Sequence, residues 1–201
     1  MLFNNSFILA SSSFSRYKIL KNNKLIFSKK KPLCDEGALK KKLIHEKKTP
    51  KQISLELARL KSKSISIRNK NKLVVGCDTI IFFEGVFLSK AKNLKEAKRK
   101  IAKISGKEHD VYSGASAYYN MKEVWKSSQK TKVKIRKLTD KEVDEYLLKT
   151  GKQILSSVGC YHAESLGPNI IENIKGDLFN VMGFPLFPFL NFLKNYNSNK
   201  I

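Results

Sequence analysis

The chain has 201 residues, enough for one sizeable domain or two small ones, and 41% of them are hydrophobic, which excludes a disordered tail. Lys and Arg number 40 against 17 Asp and Glu, a formal charge of +23, and such a charge points toward polyanions: nucleic acid, anionic membrane or phosphorylated small molecules. The excess is mostly lysine in short runs along the whole chain, such as Lys29-Lys30-Lys31 and Lys40-Lys41-Lys42; nucleic-acid grooves are more often Arg-rich with interleaved aromatics, so charge alone assigns no function.

The elements alternate. Phe7 to Ala10 reads as a short strand, and the serines of LASSSFSR (residues 9–16) stand between it and a helix that begins near Arg16. Pro32 to Gly37 reads as a break. Thr49-Pro50-Lys51-Gln52 starts a helix: Thr as N-cap, Pro at the first helical position, Gln three residues after the cap. Ile53, Leu57 and Leu60 follow at helical spacing, with Arg59, Lys61 and Lys63 among them. Residues 73–83, LVVGCDTIIFF, are near-continuously apolar and β-branched, as in a buried central strand. Asn93-Leu94-Lys95-Glu96 reads as a capping box for a helix striped by Leu94, Ala97, Ile101 and Ile104. Residues 109–119 and 123–136 read as a long antiparallel pair joined near Asn120. Thr139-Asp140-Lys141-Glu142 caps a further helix ended by Gly151, and Pro185 to Tyr196 reads as a last helix rich in Phe and Leu. Strand–helix alternation without a Pro/Gly/Ser linker predicts a single α/β domain over residues 1–196, with a disordered tail at 197–201.

Several classes are set aside. Cys34, Cys77 and Cys160 are odd in number, far apart and without a C-x-x-C pair, which argues against a disulfide framework or a zinc site and suits a reducing cytoplasm. Asn4 and Asn5 interrupt the first apolar stretch and no basic region precedes it, so no signal peptide is expected. No stretch has the length of a membrane span. His45, His109 and His162 share no metal-ligand spacing, and there is no Walker-A loop, nucleophile elbow or dinucleotide fingerprint.

The residues able to carry chemistry are few. Asp78 lies inside the apolar strand, where a carboxylate is costly unless it is paired or holds a metal; the alternative is a strand end or a bulge at Gly76, with backbone amides bonding the carboxylate. Asp35-Glu36 is an acidic spot in an otherwise basic region and Glu164 lies in a loop bounded by glycines; either they are solvated, or with Asp78 they form an oxygen-ligand site for Mg²⁺ or Mn²⁺. Arg16, Lys61 and Lys90 would then complete a triphosphate site. The serines before Arg16 admit two readings, a simple N-cap or part of a phosphate site at a helix start. Gly176 to Leu186, a glycine-bracketed loop, suggests packing more than chemistry.

Together these stretches resemble the Maf-like nucleotide pyrophosphatases. LASSSFSR resembles the opening LAS-x-S-x-x-R motif, LARLK (57–61) the LA-x-x-K helix, VVGCDT the central VIGADT, and Ser89-Lys90 the Gly/Ser-Lys-Pro motif. Gly106 to Val111 resembles G-R-x-H-x-V. Gly159-Cys160-Tyr161, Glu164, Gly176-Asp177 and Met182 to Leu186 resemble the terminal motifs, all in family order from about residue 7 to 193. The resemblance implies an α/β fold, a single elongated domain with a central mixed sheet and flanking helices, similar to the inosine triphosphatase/Maf fold. It implies metal-assisted hydrolysis of a nucleoside triphosphate to the monophosphate and pyrophosphate, in a cytoplasmic protein that is often a homodimer, without membrane or specific nucleic-acid partner. The implied catalytic residue is Asp78. Ser11, Ser13, Arg16, Lys61, Thr79, Lys90 and Glu164 are the implied substrate contacts, and Glu36, Asp78 and Glu164 the ligands of Mg²⁺ or Mn²⁺.

The chain departs from the pattern at three places. The frequent double arginine is Ser15-Arg16, the proline after the lysine is Ala91, and the glycine after Glu164 is Ser165. Glu164, where thymidine- and uridine-type members carry Gln, leans toward the branch acting on 7-methyl-GTP or a broader set. Two other functions compete: a basic nucleic-acid-binding domain, and a scaffold of the same fold with decayed activity.

Overall fold

The computed structural model describes residues 6–196, so the tail expected at 197–201 lies outside the described residues. The chain begins with β1 (Phe7–Ala10) and α1 (Phe14–Asn22), then β2 (Phe27–Lys30), α2 (Glu36–His45) and α3 (Pro50–Ser66). Next come β3 (Leu73–Phe83), β4 (Val86–Phe87), α4 (Leu94–Ile104), β5 (Glu108–Tyr119) and β6 (Lys122–Ile135). α5 (Asp140–Thr150), two short 3₁₀ turns, β7 (Ile171–Lys175), α6 (Leu178–Val181) and α7 (Leu186–Asn195) complete it. The fold is α/β with one mixed sheet in the order β2-β1-β3-β5-β6-β7, and β4 pairs with β3. β1 runs parallel to both β2 and β3, whereas β3–β4 and β6–β7 are antiparallel. Among the described residues no helix is long and apolar enough to cross a membrane.

Local chemistry accounts for most boundaries. Thr49/Gln52 and Thr139/Glu142 form the expected reciprocal capping boxes at α3 and α5. Asn93 caps α4, but Glu96 reaches back to the Lys92 amide rather than to that of Asn93, so the expected box there is only half formed. Asn120 and Met121 both have positive φ, +47° and +67°, the requirement of a two-residue hairpin turn between β5 and β6. The expected break at 32–37 is shorter than read. Asp35 is already the N-cap of α2, its carboxylate accepting from the Ala38 amide at 2.8 Å, and Gly37 lies inside the first turn. α2 buries only Leu43, so it carries almost no periodic signal.

The chain forms two compact units, one of residues 6–79, 113–129 and 183–196, the other of 80–112 and 130–182; β3, β5 and β6 contribute residues to both. In the first unit Ile8, Ala10, Ile65 and Val74 form an apolar cluster. Phe7 stacks on Phe27 and meets Phe189 edge-on, and Trp125 stacks on Phe192. There α3 presents Ser54, Ala58 and Ser62, all fully buried, to Gly76 and Gly114. A Cβ on Gly76 would stand 2.3 Å from the Ala58 carbonyl, and one on Gly114 2.5 Å from that of Ser54. Two glycines thus let the α3 backbone lie directly on the sheet.

In the second unit α4, α5 and the inward residues of the long strands bury Ile101, Ile104, Val111, Ile135 and Val143. Ala91, at the position of the family's proline, is a packed member of this core. Asn180, fully buried, donates to the Val111 carbonyl at 3.1 Å and to the Thr131 hydroxyl at 2.9 Å, fixing α6.

Candidate active site

The seating of α3 on Gly76 decides where Lys61 goes. Its side chain runs beside β3, 5% exposed, and an ammonium so desolvated requires compensation. It donates to Asp78 Oδ1 at 2.6 Å and pairs with Glu36 Oε2 at 2.9 Å. Asp78 is therefore held neither by a strand end nor by a bulge. β3 runs unbroken through it, Gly76 is in register with Ala10, and the carboxylate is matched by Lys61. Asp35 and Glu36 divide their work: the first caps α2, and the cap sets Glu36 in the first turn, where it reaches Lys61.

Arg16 forms the other half of the site. It is buried, and its Nε donates to the Gly183 carbonyl at 2.7 Å, Nη1 to Ser11 Oγ at 3.3 Å and Nη2 to Thr79 Oγ1 at 3.0 Å. All three acceptors are neutral, and among the described residues Arg16 makes no ion pair. A guanidinium has five N–H groups, which these acceptors do not exhaust. Thr79 Oγ1 also shares a hydrogen bond with Ser113 Oγ at 2.9 Å.

The N-cap reading of the serines holds for Ser13, and Ser11 takes a different place, against Arg16. Ser13 is the N-cap of α1, its hydroxyl accepting from the Arg16 amide at 3.3 Å, while Ser11 accepts from both the Ser13 amide and the Arg16 guanidinium.

The loop before α7 does more than pack. Gly183 has φ +101°, a conformation glycine allows, and this aims its carbonyl at Arg16. The same carbonyl accepts from the Cys77 thiol at 3.1 Å. Burial pushes that thiol up to about 11, so Cys77 remains protonated at neutral pH, a core residue as expected. Gly183 has a sequence signal only as part of the Met182 to Leu186 motif, and Ser113 has none, since a serine in a strand is too common to single out.

The structure thus brings Glu36, Lys61 and Asp78 together, and Ser11, Arg16 and Thr79 together, in the first unit. Lys90 and Glu164 belong to the second unit. Lys90 is exposed after β4, and Glu164 lies in a turn with Oε1 3.8 Å from His162 Nδ1.

Glu36 and Asp78 converge on one cation position, taken by the Lys61 ammonium, and the three groups sum to a charge of −1. Two hard carboxylates with negative charge to spare fit a divalent ion such as Mg²⁺, which commonly binds through one or two carboxylates together with water and substrate phosphates. Among the described residues no three His, Cys, Asp or Glu side chains gather as ligands, so the remaining ligands would come from outside the chain.

The family model described as "Maf-like protein" matches residues 6–196, including every residue of this site. The chain belongs to the Maf-like family. A "7-methyl-GTP pyrophosphatase" of Bartonella henselae is 35% identical over 189 residues, 94% of this chain and 94% of that one. A "Nucleoside triphosphate pyrophosphatase" of Ruegeria pomeroyi is 35% identical over 186 residues, 92% and 94% of the two chains. Another protein of that name, from Caulobacter vibrioides, is 34% identical over 190 residues, 94% and 95%. This Maf-like chain is therefore matched over nearly its full length by relatives of similar size.

Proposed function

We propose that this Maf-like protein is a nucleoside triphosphate pyrophosphatase, releasing pyrophosphate and leaving the nucleoside monophosphate. The observation that carries the reading is Arg16: a buried guanidinium bonded only to neutral oxygens, one residue from a strand carboxylate through its Thr79 contact. A buried cation without a counter-charge is costly, and a bound anion would relieve that cost. The names of the relatives support a triphosphate as that anion.

In this reading Arg16 and Lys61 bind phosphate oxygens, and Ser11 and Thr79 hold Arg16 in aim. Ser13 fixes the start of α1. Asp78 orients the attacking water and takes its proton as the water oxygen bonds to the α-phosphorus. The bond from that phosphorus to the bridging oxygen then breaks, and pyrophosphate departs with the electron pair. Glu36 and Asp78 would hold Mg²⁺ or Mn²⁺, which when bound supplies charge neutralisation at the phosphates. In such transfers a protein mostly positions groups and stabilises charge. Lys90 and Glu164 enter the reading only through their motif matches, as contacts to phosphate and base; among the described residues Glu164 does not join Glu36 and Asp78 as a third acidic ligand. Glu164, and the name of the Bartonella relative, favour 7-methyl-GTP within the substrate set. A cytoplasmic homodimer belongs to the same reading and rests on the family resemblance.

The experiment is pyrophosphate release from a panel of triphosphates, including 7-methyl-GTP, dTTP and UTP, with and without Mg²⁺ or Mn²⁺. Asp78→Asn should keep the fold and lose on the order of 10²–10⁴ in rate, the usual worth of an acid–base group. Near wild-type turnover in that variant would remove Asp78 from the mechanism. No release from any nucleotide would favour the scaffold, and steeply salt-dependent RNA or DNA binding would favour the nucleic-acid reading.

A further inference from the structure

Among the described residues Lys40, on α2, forms no hydrogen bond or ion pair and feels only the charge of Asp78. Lys40 lies four residues after Glu36, and residues so spaced share a helix face. That face reaches the site, since Glu36 pairs with Lys61 there. Lys40 is half-buried, whereas Lys41 and Lys42 beside it are exposed. Lys42 pairs loosely with Glu46 at 3.9 Å, but among the described residues Lys40 makes no hydrogen bond and no ion pair. Burial lowers its pKa, and the Asp78 charge is the one that acts against that lowering. Lys61, by contrast, has two carboxylates beside it.

We propose that Lys40 is a further substrate-binding residue, its ammonium contacting anionic oxygens of the triphosphate. A partly desolvated ammonium beside the site, with no acceptor of its own, gains most from an arriving anion. The role rests on the nucleotide reading above and adds to it a residue outside the motifs that carry the family resemblance.

The test is calorimetric binding of α,β-methylene-GTP, whose scissile oxygen is replaced by carbon, in Mg²⁺, alongside steady-state turnover. Lys40→Met, Lys40→Arg and the control Lys42→Met are compared with wild type. Losing one charge-assisted contact should weaken binding by about tenfold or more. Lys40→Met should show this, with KM raised in step, a smaller change in kcat and an unchanged melting temperature. Lys40→Arg should restore binding and Lys42→Met should leave it alone. If Lys40→Met binds like Lys42→Met while wild type turns over, the Lys40 assignment is wrong and the nucleotide reading stands. If wild type neither binds nor hydrolyses any triphosphate, the nucleotide reading fails and Lys40 falls with it.

Discussion

Gly76→Ala tests the link between the seat of α3 and the site. Gly76 stands on β3 two residues before Asp78, and a methyl there would lie 2.3 Å from the Ala58 carbonyl and 2.6 Å from the Ser62 amide. Both are backbone atoms of α3, so neither can swing aside. The helix must withdraw until the shorter contact opens from 2.3 Å to at least 3.0 Å. Lys61, whose Cβ would be 3.1 Å from the new methyl, withdraws with it, and its 2.6 Å contact to Asp78 lengthens accordingly. Overpacking of this kind costs about 1–3 kcal/mol, or roughly 2–12 °C in melting temperature for a chain of this size. A displacement approaching 1 Å at a catalytic pair costs up to about 10²-fold in rate. Thermal unfolding and pyrophosphate release on the same preparation read both effects. A variant that melts with wild type would refute the close seating. One that melts lower yet keeps wild-type kcat would refute the dependence of Lys61 on it.

Two further substitutions probe separate parts of the molecule. His109 is 3% exposed, its Nε2 2.7 Å from the Tyr161 hydroxyl, and burial holds its pKa down to about 4. The neutral ring is the native form, so its contribution is full above the unfolded value of about 6.5 and is lost as pH falls toward 4, amounting to about 2 kcal/mol by pH 5. His109→Phe should show a smaller drop in urea midpoint between pH 7 and pH 5 than wild type; equal drops would exclude His109 as the titrating group. Gly183→Ala forces a side chain onto φ +101°, with its Cβ 3.2 Å from Thr79 Oγ1 and 3.6 Å from Arg16 Nε. Strain of about 1–3 kcal/mol and a displaced carbonyl should lower the melting temperature and raise KM for the triphosphate by about tenfold. An unchanged KM would show that Arg16 is aimed without the Gly183 carbonyl.

The elements with local signals were legible in the sequence, and those without were not. Thr49-Pro50-Gln52 and Thr139-Glu142 announce α3 and α5 because a cap is decided by residues three apart. The apolar run of β3 announces a central strand, and Asp78 within it announces a group in need of a partner. β2 and β7 were missed because as edge strands they are mostly exposed, with lysines at Lys29, Lys30 and Lys175. α2 was missed because one buried leucine leaves no stripe.

In the site, the sequence by itself determined that Asp78 is unusual, because the cost of burying its charge can be read from its apolar neighbours, whereas Arg16 stood out only as the arginine after the serines at a helix start. Lys61, one of 40 basic residues, was a candidate for a triphosphate site with nothing local to set it apart from a solvated lysine, and the family resemblance added the motif match. The tertiary structure decided that it pairs with Asp78, 17 residues away, and that Gly183, 167 residues from Arg16, supplies the carbonyl that aims the guanidinium. Caps and periodicity are written in residues a few positions apart. The partner of a buried charge is settled by which backbones can approach, here by α3 lying on Gly76 and Gly114.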